Sequence, residues 1–171
     1  MRARMLLSPF AQENTMNAVS ESVDSGPAKH PGHEGRLMAI DLGGKRVGIA
    51  VSDELRITVR PVKTIERRSW KELLRQIIEE IEACDASGLI IGLPLNLDGS
   101  TGPAAAEARQ LARKFELSLQ IPVYLHDERL TTEEAKSRLH DIQRPERVGD
   151  IDSTAAAVIL QDFIAQQQSR P

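Results

Sequence analysis

Apolar residues along the chain are arranged with two different periods, and the change from one to the other divides the sequence into elements. Leu37-Met38-Ala39-Ile40 is an unbroken apolar run closing on Asp41, the signature of a strand buried on both faces. Beyond Gly43-Gly44, the stretch Val47-Gly48-Ile49-Ala50-Val51 alternates branched with small residues. A strand with that pattern is bulky on one face and closely approached on the other. Ile57, Val59 and Val62–Ile65 predict a third strand, edged by Pro61. Short connections among the three predict an antiparallel meander.

The period then lengthens. Ser69 and Glu72 form a capping box, and Leu73, Leu74, Ile77, Ile78 and Ile81 make one helical stripe. Leu89-Ile90-Ile91 is a buried strand ending at Gly92, and the polar loop from Asn96 to Gly102 opens a helix with Ala104, Ala108, Leu111 and Phe115 on one face. Val123-Tyr124-Leu125 is a fifth strand; Thr131 and Glu134 cap a short helix, and Ala156, Ile159 and Phe163 mark a last one. The order βββαβαβαα predicts an α/β fold, one mixed five-stranded sheet with helices on both faces. Residues 1–35 show neither period and are rich in Ser, Asn, Gly, Pro and charge, so a disordered tail is expected ahead of one domain over 36–167.

Composition narrows the picture without naming a chemistry. The 171 residues suit one domain, and 22 basic against 25 acidic side chains give a net charge of −3, which disfavours a binder working by bulk positive charge. The lone Cys84 excludes an intrachain disulfide. Arg2 and Arg4 precede only Met5, Leu6 and Leu7, too short a run for a signal-peptide core of about 7–15 residues. With no run near the roughly 20 apolar residues of a membrane span, a cytoplasmic protein without a membrane partner is expected.

Candidate chemistry lies where carboxylates meet strand ends. In open α/β sheets functional groups gather at the carboxyl ends of strands. Asp41 closes the first strand, Glu128 follows the fifth within His126-Asp127-Glu128-Arg129, and Asp152 stands just before the final helix. Charge at the end of an apolar strand is costly unless a cation compensates it. Converging carboxylates without a Cys or His cluster suit a hard cation, Mg²⁺ or Mn²⁺. The plainer readings are a turn cap at Asp41, an N-cap at Asp152 and a surface pair of Glu128 with Arg129. Asp53 and Asp127 read as structural, His126 as orienting or packing, and Cys84 as inert.

Four segments together carry a family resemblance. Asp41-Leu-Gly-Gly-Lys-Arg-Val-Gly-Ile-Ala-Val-Ser-Asp53 resembles the opening motif of the YqgF family, also called RuvX. Gly92 to Pro103, Asp127-Glu-Arg-Leu-Thr-Thr132 and Asp152 to Gln161 resemble its second, third and fourth motifs, in family order. The resemblance implies an RNase H-like fold related to RuvC resolvases, with Asp41, Glu128 and Asp152 as catalytic and metal-binding carboxylates. It implies a nuclease acting on nucleic acid, in maturing the 5′ end of precursor 16S ribosomal RNA or in cutting branched DNA. Gly44 stands where the family often has Thr, and Arg144, Arg147 and Asp150 where many members carry a lysine-rich stretch.

A nuclease must hold a polyanion beside its own carboxylates, so Lys45, Arg46, Asn96 and Arg129 are expected to contact substrate. With 3% aromatic residues, base stacking is a poor main grip, and recognition should rest on backbone shape and charge. Two symmetric cuts in a junction would require a homodimer. Two other classes compete. Asp41-Leu-Gly-Gly with Gly48 resembles the phosphate loop of sugar kinases and actin-like ATPases, which enclose nucleotide between two such domains where this chain has one. An RNase H-like domain can also serve as a non-catalytic RNA-binding module.

Overall fold

A computed structural model describes residues 35–130 and 148–169. Strands β1 (Arg36–Leu42), β2 (Arg46–Ser52) and β3 (Val59–Glu66) form the meander. Helix α1 (Trp70–Cys84) leads to β4 (Ala86–Leu93), and α2 (Pro103–Ser118) leads to β5 (Val123–Asp127). One 3₁₀ turn, Glu128–Leu130, follows β5, and α3 (Val148–Gln168) is the last element described. The sheet order is β3-β2-β1-β4-β5, with β1, β4 and β5 parallel. Their carboxyl ends therefore meet at one edge, the geometry expected of a mixed α/β sheet.

Odd and even positions of β1 face different helices. Met38 and Ile40 pack with Ile49, Leu73, Ile77, Leu89, Ile91, Leu111 and Phe115 under α1 and α2. Leu37 and Ala39 pack with Ile90, Ile159, Leu160 and Phe163 under α3. Fully burying each such large side chain contributes about 1.5–3 kcal/mol, so this two-faced core is the main drive for folding. Among the described residues, no helix is long and apolar enough to cross a membrane.

Local chemistry explains where elements stop. Ser69 Oγ accepts from the Glu72 amide at 3.2 Å, which is one half of the expected capping box. Asp85 ends α1 in the left-handed conformation, φ 52°. Pro61 lies on the edge strand, where a missing N–H costs no ladder bond, and the β2–β3 register shifts between Ile49 and Ala50 beside it.

Three expectations are corrected. Ile57 is not in β3: it is 74% exposed, and its amide donates to Asp53 Oδ1 at 2.7 Å in the turn that precedes the strand. Ala104 is exposed and Ala105 is buried, because Pro103 at the start of α2 sets the phase of the stripe to 105, 108, 111–112 and 115. Asp152 does not cap the last helix but lies inside it, since the helix extends back to Val148. The tail over 1–34, the helix capped by Thr131 and Glu134, and Arg144 and Arg147 fall outside the described residues.

A buried polar contact ties β5 to α3. His126 Nε2 lies 2.8 Å from Asp162 Oδ2, with both side chains about 95% buried, and Gln166 Nε2 donates to the same oxygen at 3.0 Å. Asp162→Ala leaves His126 and Gln166 facing a void, so it should cost about 3 kcal/mol in urea unfolding, with Asp162→Asn costing less.

Candidate active site

Asp41 occupies the end of β1 on the face covered by α3, and glycines flank it on both sides. Gly48 is its antiparallel partner on β2. On β4, Gly92 follows directly after Ile91, the partner of Ile40. A Cβ on Gly48 would overlap the Asp152 carbonyl and lie 2.7 Å from the Ser153 nitrogen. A Cβ on Gly92 would overlap Glu128 Oε1 and stand 2.8 Å from Ile159 Cδ1. The two missing side chains thus admit the helix backbone at Asp152 on one side of Asp41 and the Glu128 carboxylate on the other. The alternation of large and small residues in β2 anticipates the first approach. Nothing in the local sequence flags the second, because Gly92 reads simply as a strand terminus.

Asp152 projects from the same helical stripe as Ala156, Ile159 and Phe163, the face that packs on the sheet. The helix lies closest at its amino-terminal half, where Ala156 and Ala157 pack with Ala50, and larger residues fill the space further along.

Asp152 perturbs Asp41, and Asp41 in turn perturbs Glu128. Burial, then the charge of Asp152, pushes the Asp41 carboxyl above the ordinary range. Burial, then Asp41 and Asp127, pushes Glu128 up to about 7. Like charges gathered with partial burial are costly to the folded chain, and such stress marks functional sites. One cation answers part of it: Arg46 Nε lies 3.1 Å from Asp152 Oδ2. That oxygen is buried and has no hydrogen-bond partner among the described residues, so the contact has the distance of an ion pair without the alignment of a hydrogen bond.

The expected substrate-binding residues divide. Arg46 stands at the carboxylates. Lys45 is exposed in the adjoining turn, its carbonyl accepting from the Arg67 amide at 2.9 Å. Arg129 grips Asp127 through Nε at 3.1 Å and Nη2 at 2.7 Å, with its Nη1 lying 3.0 Å from where a Cβ on Gly99 would stand. Gly99 has φ 85°, a conformation glycine adopts without strain. Asn96 donates from Nδ2 to Ser100 Oγ at 2.8 Å, and its amide nitrogen to the Ser100 carbonyl at 3.1 Å. Asn96 and Arg129 thus organise the loop and the strand end, the structural work expected of Asp127. Asp53 is likewise structural, accepting from the Ile57 and Thr58 amides. The Asp162 partner of His126 went unforeseen; its one sequence signal is an acid set among the apolar positions of the last helix.

Among the described residues, no three His, Cys, Asp or Glu side chains stand close enough to enclose an ion as they are. The oxygen donors of Asp41, Glu128 and Asp152 nevertheless suit a hard cation in kind, and the orphaned Asp152 oxygen has a lone pair unsatisfied.

Two predictions test this geometry. Gly48→Ala forces the α3 backbone off the sheet and should cost about 2–4 kcal/mol in urea unfolding, far more than Gly44→Ala, where a Cβ meets nothing within 4 Å. The Glu128 carboxyl has a folded pKa raised to about 7 from an ordinary 4.5. The folded chain then keeps a proton that the unfolded chain has lost, so the penalty is absent below 4.5, grows between 4.5 and 7, and is complete above 7. After discounting for partial exposure it amounts to about 2 kcal/mol. In EDTA, Glu128→Gln should melt above the unsubstituted chain at pH 8, with the difference vanishing near pH 4.5. An equal difference at both pH values would contradict the assignment.

Comparison with known proteins agrees with the four sequence motifs. The family model described as "RuvX: Holliday junction resolvase" matches residues 35–166. A protein of Anaeromyxobacter sp. (strain K) named "Putative pre-16S rRNA nuclease" is 44% identical over 131 residues, covering 75% of this chain and 96% of its own. One of the same name from Roseiflexus sp. (strain RS-1) is 38% identical over 136 residues, covering 78% and 96%. Among solved structures, Thermus thermophilus RuvC in complex with a Holliday junction substrate aligns with TM-score 0.55 at 13% identity, over 78% of this chain and 96% of that one. Thermus thermophilus RuvC in a second structure gives 0.52 at 12% identity, over 78% and 97%. The fold is therefore the RuvC-like, RNase H-type arrangement, and at these coverages and identities the chain belongs to the RuvX (YqgF) family.

Proposed function

We propose that this chain is a metal-dependent endonuclease hydrolysing phosphodiester bonds in nucleic acid, with the 5′ leader of precursor 16S ribosomal RNA as substrate. The observation that carries the reading is the gathering of Asp41, Glu128 and Asp152 from three elements at one sheet edge, with the electrostatic stress they share. The name borne by the curated relatives supports the choice of RNA. The family's own description supports branched DNA as the second reading, in which two symmetric cuts call for a homodimer. Ribosomal RNA processing would place the protein in the cytoplasm.

Asp41, Glu128 and Asp152 would hold Mg²⁺ or Mn²⁺, both of which favour carboxylate oxygen. A bound divalent cation activates water and stabilises the departing oxygen in phosphodiester hydrolysis. The protein's own contribution is position and charge. Gly48 and Gly92 set two carboxylates on either side of the third, and β1, the central strand, fixes Asp41 against drift. Lys45 and Arg46 border this edge and offset the repulsion between a polyanion and the acidic centre. Arg129 and Asn96 hold the neighbouring loop in a shape that admits backbone phosphates, Arg129 by its planar fork on Asp127.

The test is cleavage of labelled precursor leader RNA and, separately, a four-way DNA junction, each with Mg²⁺, Mn²⁺ or EDTA. RNA cleavage that requires metal and falls at least about 100-fold in Asp41→Asn is the expected result. Junction cutting alone would transfer the assignment to branched DNA, and binding of both substrates without cutting would leave a non-catalytic module.

A further inference from the structure

We propose that Arg46 is the resident counter-ion of Asp152 and competes with the divalent cation for that carboxylate, so that metal loading releases its guanidinium toward substrate phosphate. The proposal rests on the reading of Asp41, Glu128 and Asp152 as metal ligands, and goes beyond it by giving one residue two successive partners.

The contact itself is the first ground. Arg46 Nε is 3.1 Å from Asp152 Oδ2, close enough for a strong charge-assisted bond, yet that buried oxygen receives no hydrogen bond. Arg46 therefore neutralises the carboxylate while leaving its lone pair unsatisfied. A cation able to approach along the lone pair has a better interaction on offer.

Mobility is the second ground, and it is one-sided. The Asp152 backbone is seated on Gly48, with no room for even a Cβ between them, so the helix is not free to shift after a departing partner. Arg46 springs from the first residue of β2, on the same sheet face as Gly48, and its side chain is 45% exposed. It can swing outward by side-chain rotation alone.

Charge is the third. One guanidinium set against the three carboxyl groups of Asp41, Glu128 and Asp152 leaves the cluster short of positive charge. A divalent ion answers it better and removes the reason for Arg46 to stay. The displaced guanidinium keeps five donors in a plane, the geometry that suits a phosphodiester. Because linkage is reciprocal, nucleic acid that engages Arg46 should in turn strengthen metal binding.

The test is isothermal calorimetry of the full chain with Mn²⁺, comparing the unsubstituted protein with Arg46→Met, Arg46→Lys, Lys45→Met and Asp152→Asn, each first checked for folding by circular dichroism. Lys45→Met removes a neighbouring charge that makes no such contact with Asp152, and so measures the general effect of lost positive charge. Competition predicts Mn²⁺ bound about three- to tenfold more tightly by Arg46→Met, and less than about twofold more tightly by Lys45→Met. Arg46→Lys, keeping the charge, should stay near the unsubstituted protein, and Asp152→Asn should lose most of the affinity. Unchanged or weaker binding by Arg46→Met overturns the proposal while leaving the metal site standing. Equal tightening in Arg46→Met and Lys45→Met also overturns it, as a general charge effect. If no chain binds Mn²⁺, the metal reading fails and the competition fails with it.

Discussion

The close seating of α3 on β2 at Gly48 is the constraint on which the rest of this site depends. A helix normally stands off a sheet by the thickness of its side chains. Here glycine and alanine remove that layer at one end, so the helix backbone at Asp152 sits directly on Gly48, the partner of Asp41. At the other end Leu160 and Phe163 keep the ordinary separation. Gly92 repeats the device on the far side of Asp41, for Glu128. Two absent side chains, and not any added group, create the room for Asp152 and Glu128 on either side of Asp41.

That placing has an electrostatic cost that the apolar core must offset. Burial and neighbouring like charge push the Asp41 carboxyl above its ordinary range and that of Glu128 up to about 7. Such stress is stored only where surrounding packing over-determines the geometry. The two-faced core of Leu37 through Ile40 does so by gripping β1 from both sides up to the residue before Asp41. The His126–Asp162 contact adds a clamp between β5, which leads into Glu128, and α3, which carries Asp152. The cationic side of the site is sparing by comparison, with Arg46 at one acid and Arg129 committed to Asp127. A chain with net charge −3 does not rely on bulk attraction of a polyanion.

Much of this was legible in the sequence, because period and strand-end position are local properties. The unbroken run before Asp41, the alternation in Val47–Val51 and the stripe from Leu73 report burial by one face or two, and burial decides strand or helix. They determined the element order, the meander, the helices on both faces and the placing of Asp41 and Glu128 at strand ends. The four motifs in order determined the family. Errors fell where a boundary depends on one cap or one turn: Ile57 is drawn into a turn by Asp53, and Ala104 loses its place in the stripe to the phase set by Pro103.

Only the tertiary structure decided the rest, since it depends on pairs distant in sequence. Gly48 against Asp152, Gly92 against Glu128, His126 against Asp162 and Arg46 against Asp152 each join two elements. The residue types at those positions are individually unremarkable, and no local period encodes which will meet. Likewise only the fold shows that Asn96 and Arg129 also shape a loop and a strand end, through Ser100 and Asp127. The sequence determined which residues could carry charge at the sheet edge. The packing of helix on glycine decided which of them share that charge, because electrostatic coupling is set by distance in space and not along the chain.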